Sequence, residues 1–329
     1  MRIRRQLQGN VDRSILGLVM DSKISSRPVQ ADNKASAESS FSPSVGGRYT
    51  WDRVFAIAAW SATWISVAIL AWLLLTILID GLGTLNWNFI TSLPSRKAER
   101  AGIIAALMGT LWVMALVALI SFPVGVGAGI FLEELTTADN WFTRLVEINI
   151  GNLAGVPSII YGLLGLAAFV RVMEPITGGR SVLSGALTLS LLILPVIIVA
   201  TREALRAVPT SIRLAGYALG ANRWQVVWSH VLPAAMPGVL TGVILALSRA
   251  IGETAPLIAV GAAVYISFLP SDIQSQFTAM PIQIYNWVGR PQEEFHHIAA
   301  SGIIVLMAVL LLMNAIAIYL RNRFQKEGV

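Results

Sequence analysis

The chain has 329 residues, 55% of them hydrophobic and 13% charged, with a mean hydropathy of +0.69; this balance excludes an ordinary soluble domain and leaves room for several membrane spans and little else. Cysteine is absent, which removes disulfides, thiolate chemistry and Cys-ligated metals. The net charge of +6 does not argue for nucleic acid, because basic residues of a multi-span protein collect in its cytoplasmic loops.

Residues 1–50 read as a separate cytoplasmic tail. A basic opening with one short apolar patch, Ile15 to Met20, leads into a Ser-rich polar stretch that is expected to be disordered. The patch is too short, and follows Asp12 and Arg13 too closely, for a secretory signal. Residues 51–329 hold six apolar stretches, each near the roughly 20 residues that a helix needs to cross a bilayer core. They run from Val54 to Ile79, Gly102 to Phe122, Ile148 to Val170, Val182 to Ala200, Pro237 to Ile258 and Ile298 to Leu320. The fold class is therefore all-α, a polytopic membrane helix bundle of about six transmembrane helices. The third, fourth and fifth stretches contain Pro157, Pro195 and Pro256, whose freed backbone groups need protein neighbours. The glycine run at Gly125 to Gly129 is not followed by the Gly-Lys-Ser/Thr of a phosphate loop and reads as a close helix contact.

Orientation follows from the basic residues. Arg48 and Arg53, then Arg202, Arg206, Arg213 and Arg223, then Arg321, Arg323 and Lys326 share one side when both termini are cytoplasmic, against Arg96, Lys97 and Arg100 on the other. The loop after the fourth span, Thr201 to Pro233, is too long for a tight turn. Its apolar positions Leu214, Tyr217 and Ala218, then Trp224, Val227, Trp228 and Val231, recur at helical spacing. Two short amphipathic helices are expected, the first ended by Gly220 and the second capped by Asn222. Such a basic knob either lies on anionic lipid or docks another subunit.

The fifth span carries two charges. Arg249 lies twelve residues beyond Pro237, about 18 Å along a helix and so near mid-bilayer, with Glu253 expected one turn further on the same face. Intramembrane charges mark a substrate path or a buried pair. The guanidinium is always charged and offers a fork of donors that Glu253 could hold; a permanent structural pair is the alternative. Thr254 offers a neutral donor unless its hydroxyl bonds the helix backbone. In the outward loop that follows, Tyr285 and Trp287 are typical of a membrane interface, and the adjacent His296 and His297 lack a third ligand spaced for a metal.

The Thr201 to Pro233 loop resembles the cytoplasmic Glu-Ala-Ala loop of ATP-binding cassette importer permeases. Ala215, Gly220, Leu232 and Pro233 fall on that pattern, whereas Leu214 replaces the Glu, Gly216 the second Ala and His230 the Ile. The run LSRAIGETAPL, Leu247 to Leu257, with PVGVGAGIFLEE and GVPSIIYGLLGLAAF, is similar to the PstA-type phosphate permeases. An Arg-x-x-Glu pair common at the end of that family's fourth span is missing, since Val199, Ala200, Thr201 and Arg202 stand there. The resemblance implies a non-catalytic permease subunit in a bacterial cytoplasmic membrane. It carries over Arg249 as the family's intramembrane Arg, beside which Glu253 and Thr254 are substrate-path candidates by position, while Arg213, Leu214, Ala215, Gly216, Gly220, Trp224, Leu232 and Pro233 are the candidates for the loop that couples to an ATPase. The implied partners are a related permease, two ATPase subunits and an extracytoplasmic phosphate-binding protein. No cofactor is expected on this chain, ATP being used by the partners. A proton-coupled carrier and a permease for another oxyanion, such as molybdate or sulfate, are the alternatives.

Overall fold

Among the residues that the computed structural model describes, 45–136, 141–263 and 265–327, all regular structure is helical. The expected tail lies outside these residues up to position 44, and from Val45 the chain is already helical, so the first helix begins inside the stretch read as tail. The chain divides into two units, Met1–Trp64 and Ile65–Val329. The described part of the first unit is the opening of helix α1 (Val45–Leu82), where Trp51, Phe55, Trp60 and Trp64 are all exposed.

The second unit contains the end of α1 and every later element. Among the described residues of the whole chain, α1 included, five helices are long and apolar enough to cross a membrane, or six when a bent pair counts as one span. After α2 (Trp87–Thr91), capped by Asn86 Oδ1 accepting from the Phe89 amide at 2.8 Å, α3 runs over Ile104–Ile130 and ends in a wider π-helical turn, Phe131–Leu135. Helix α7 (Val182–Arg206) is the most enclosed span and its Pro195 is buried. A Cβ at Gly125 or Gly129 of α3 would run into Ile197 or Thr201 of α7, so the glycine run is a helix contact as expected.

The third apolar stretch is not one straight helix but a bent pair, a broken span or a re-entrant loop. Helix α4 (Trp141–Ala154) stops before Pro157, and α5 (Ser158–Gly165), prolonged by a π-helical stretch Leu166–Val172, leaves at 106°. Pro157 has no N–H for the Leu153 carbonyl four residues back, and its ring crowds that oxygen. The Leu153 carbonyl accepts from the Val156 amide at 3.1 Å and from the Tyr161 hydroxyl at 2.7 Å instead. The short α6 (Glu174–Thr177) leads to α7.

The knob follows as α8 (Thr210–Ala218) and α9 (Arg223–Val226). Two separate short helices were expected; instead α9 runs through a π-helical turn, Val227–Val231, straight into α10 (Leu232–Ile251), so the second knob helix is the foot of the fifth span. The fifth span then breaks at Gly252–Thr254 and resumes as α11 (Ala255–Val260). Pro256 again supplies the reason: its missing N–H and its ring both fall on the Gly252 carbonyl. The halves beyond the two breaks pack together, Gly162 of α5 lying against Pro256 and Ala259 of α11.

Helix α12 (Met280–Val288) and α13 (Glu293–Glu327) complete the unit. Trp287 is enclosed by protein rather than exposed as an interface anchor would be, its ring 5.9 Å from that of Phe89, because α12 packs onto α13 and the segment around α2. Tyr285, on the other face, is exposed. His296 Nε2 is 2.9 Å from the Arg290 carbonyl, a contact that engages one ring nitrogen.

Candidate functional site: a knob and a broken span

The knob turns at Gly220, whose φ of +79° lies in the left-handed region that favours glycine. Asn222 then starts the next helix with a reciprocal cap: its Oδ1 accepts from the Gln225 amide at 2.8 Å, and Gln225 Oε1 accepts from the Asn222 amide at 2.9 Å. Gly216 is buried where α8 crosses α9, and a Cβ there would collide with Val226. The departure from the family's Ala is thus matched by the branched side chain opposite. On the outer surface Leu214, Ala215, Tyr217, Leu219 and Trp224 are exposed, and Trp224 stacks on Trp228 with ring centroids 5.6 Å apart. Pro233 is exposed at the start of α10 and Leu232 is buried beneath it.

Arg213 is turned away from that surface. Its Nη2 lies 2.5 Å from Glu134 Oε1, Nε donates to the same carboxylate at 3.2 Å, and the Val208 and Leu205 carbonyls accept from Nη1 and Nη2 at 2.8 and 2.9 Å. Glu134 is buried in the π-helical end of the second span. Its neighbour Glu133 accepts from Arg202 at 3.1 Å and Arg206 at 2.7 Å, and Arg202 reaches Glu147 of α4 at 2.5 Å. Arg202 therefore pairs with neither a residue one step along the chain nor one in its own helix; Glu203 goes to Arg206, at 3.2 Å. These glutamates escaped the sequence reading, although two carboxylates closing an apolar run were a signal that something basic had to meet them.

Arg249 and Glu253 are brought together, but not on one helix face. Arg249 is in the last turn of α10 and Glu253 in the break, where its amide donates to the Ala250 carbonyl at 3.2 Å. One contact joins them, Nε to Oε1 at 3.3 Å, and the Arg249 side chain remains 52% exposed against 18% for Glu253. Among the described residues no other hydrogen bond engages the Arg249 fork. Thr254 precedes α11 without capping it through its side chain. Gly162, just beyond the first break, lies against Pro256 and Ala259, just beyond the second, which sets the two breaks near each other. On the neighbouring face of α10, Ser248 donates to Asn314 Oδ1 of α13 at 2.6 Å, a polar tie between the last two spans.

A family described as binding-protein-dependent transport system inner membrane component matches residues 121–326, which contain both breaks, the knob and the ion-pair cluster. The phosphate transport system permease protein PstA of Haemophilus influenzae is 31% identical over 284 residues, covering 85% of this chain and 97% of that protein. The PstA 1 protein of Mycobacterium tuberculosis is 33% identical over 236 residues, 70% of this chain and 74% of that one. The fold is shared with a chain of a bacterial alginate ABC transporter solved with a pentasaccharide-bound periplasmic protein, at a TM-score of 0.59 and 15% identity over 86% of this chain and 98% of that one. By its sequence, its helical spans and its knob, the chain belongs to the binding-protein-dependent transport inner membrane components and, among them, to the PstA-type permeases, the multi-pass, non-catalytic subunits of ABC transporters.

Proposed function

We propose that this chain forms, with a related permease, the path of an ATP-driven phosphate importer in a bacterial cytoplasmic membrane, with both termini inside. Two ATPase subunits dock on the knobs and use the ATP; this chain itself binds no cofactor. An extracytoplasmic protein delivers phosphate to the opposite face. The observation that carries the reading is the knob: a rigidly capped helix pair whose exposed rim is Leu214, Tyr217, Leu219 and Trp224. A self-sufficient carrier has no use for such a projection. With Leu214 in place of an acidic residue, docking rests on apolar shape rather than on a salt bridge.

A charge facing acyl chains is costly, so the half-exposed Arg249 faces the path or the partner permease. Its guanidinium meets Glu253 through one nitrogen only, which leaves fork positions open to a phosphate's oxygens. Glu253 holds the arginine between arrivals, and the Thr254 hydroxyl adds a neutral donor at the break.

Reconstitution of the four-subunit-type complex in vesicles tests this. Phosphate uptake is expected to require ATP, to persist when the proton gradient is collapsed, and to resist competition by molybdate and sulfate. Uptake that follows the proton gradient without ATPase subunits would instead make the chain a secondary carrier, and competition by the other oxyanions would reassign the substrate.

A further inference from the structure

We propose that Glu133 and Glu134, on the π-helical end of the second span, form the joint that relays movement of the knob to the second, third and fourth spans. The inference rests on the reading that the knob docks an ATPase.

Consecutive residues of a helix point about 100° apart, so two neighbouring glutamates serve two different directions. Glu134 faces the knob. Arg213 spends four of its donor positions there, on the Glu134 carboxylate and on the Leu205 and Val208 carbonyls, so α8 is bolted both to the second span and to the end of the fourth. Arg223, at the start of α9, adds a donor to the Thr136 carbonyl at 3.4 Å. Both helices of the knob thus touch the same short segment. Glu133 faces the spans: it bridges Arg202 and Arg206 of α7, and Arg202 passes the contact to Glu147 on the near half of the broken third span.

The burial makes this a linkage rather than a set of surface pairs. The Glu134 side chain is 7% exposed, Arg202 11%, and Glu133 and Arg213 18%. A knob that moved away from Glu134 would strand a buried carboxylate, so the carboxylate and the turn that carries it move with the knob. The turn is suited to this, because the wider π-helical geometry interrupts the regular hydrogen-bond ladder of α3 where the pull arrives. Glu133 is one residue away and hands the displacement to Arg202 and Glu147. The relay ends on α4, whose other end is the break that Tyr161 spans, and the half beyond that break packs on α11 through Gly162 against Pro256 and Ala259. A displacement at the knob therefore has a path of contacts to α11, the half of the fifth span beyond its charged break. Glu133, Glu134 and Arg202 are positioning residues in this scheme; none touches substrate or nucleotide.

The test uses the assembled permease, ATPase and phosphate-binding protein in vesicles, with phosphate uptake and ATP hydrolysis measured together and the ATPase retained on the purified permease quantified. For Glu134→Gln we expect ATPase retention and hydrolysis near wild type, with phosphate moved per ATP lower by about fivefold or more. An unchanged ratio with the ATPase retained would overturn the joint, as would loss of ATPase retention in this variant alone, which would make Glu134 a shaper of the docking surface. Failure of the wild-type chain to retain an ATPase would instead overturn the docking reading. Should Glu134→Gln not reach the membrane, Glu147→Gln at the more exposed end of the relay is expected to lower the same ratio, and a wild-type ratio there overturns the proposal.

Discussion

The chain holds two kinds of arginine–glutamate contact, and they differ in what they leave undone. Glu134 is buried and Arg213 mostly enclosed, the two joined through two nitrogens of the fork and backed by the Leu205 and Val208 carbonyls. Arg249 and Glu253 share one contact of 3.3 Å across a break in the chain, with the arginine half exposed. The first pair has almost no unused donor and no access. The second has both. A charge pair that is fully satisfied gives shape, whereas one held by a single bond at a place where the backbone is interrupted keeps donors for another partner, which is the role proposed for Arg249. Sequence spacing alone does not separate the two, since Arg213 and Glu134 are far apart in the chain and Arg249 and Glu253 are neighbours by helical count.

The sharpest way to break this comparison is to remove the buried arginine. Arg213→Ala would leave Glu134 enclosed without its cation, a loss of about 3–5 kcal/mol. We expect the variant to be scarce in membranes and to unfold at distinctly lower temperature in detergent. Adding Glu134→Gln should recover part of the loss, because the stranded charge is then gone. Normal abundance of Arg213→Ala would mean that the knob is held by its caps and apolar contacts alone.

Arg249→Lys is expected to behave in the opposite way. Packing volume and charge are nearly kept, so abundance and assembly should match wild type, while loss of the planar fork lowers phosphate uptake by about tenfold or more. Unaltered uptake would place Arg249 among the structural pairs. Exchanging Arg249 with Glu253 is a poorer test than helical spacing suggests. Position 249 is in the last turn of α10, where the helix dipole favours a cation and disfavours the glutamate that the exchange would bring.

Hydrophobic length made the spans legible, and the knob was visible through Gly220 and Asn222, two residues with strong local rules. Proline gave the sites of both breaks but not their form. Pro157 and Pro256 announce missing hydrogen bonds; whether the helix bends, kinks or stops depends on who takes the freed carbonyl, and for Leu153 that is the Val156 amide in a tightened last turn together with a tyrosine eight residues further on. The Thr201 to Pro233 pattern was read as two short helices because its polar residues obscure that Val226, Val227 and Val231 continue one buried stripe into α10. Trp287 was placed at an interface by residue type, and only the packing of α12 shows that its ring is enclosed. The ion-pair cluster was the least legible part, since its glutamates come from spans two and three and its arginines from the fourth span and the knob.

The smallest expected effect concerns the shape of the knob rather than its charges, and it separates family pattern from local packing. The related loops carry Ala where this chain has Gly216, so Gly216→Ala looks conservative and would ordinarily favour the helix by removing a glycine. Here the added methyl points at Val226, with Cγ2 at 2.7 Å from where the Cβ would sit. Overpacking of this kind costs about 1–3 kcal/mol, more than the gain in helix propensity. The variant is therefore expected to unfold at slightly lower temperature and to retain somewhat less ATPase, because α8 must lift away from α9 to admit the methyl. Val226→Ala in the same chain makes room for it, and the pair is expected to return both measurements towards wild type. If Gly216→Ala proves neutral by itself, α8 and α9 can shift against each other at little cost, and the clamp at Arg213 carries the orientation of the knob alone.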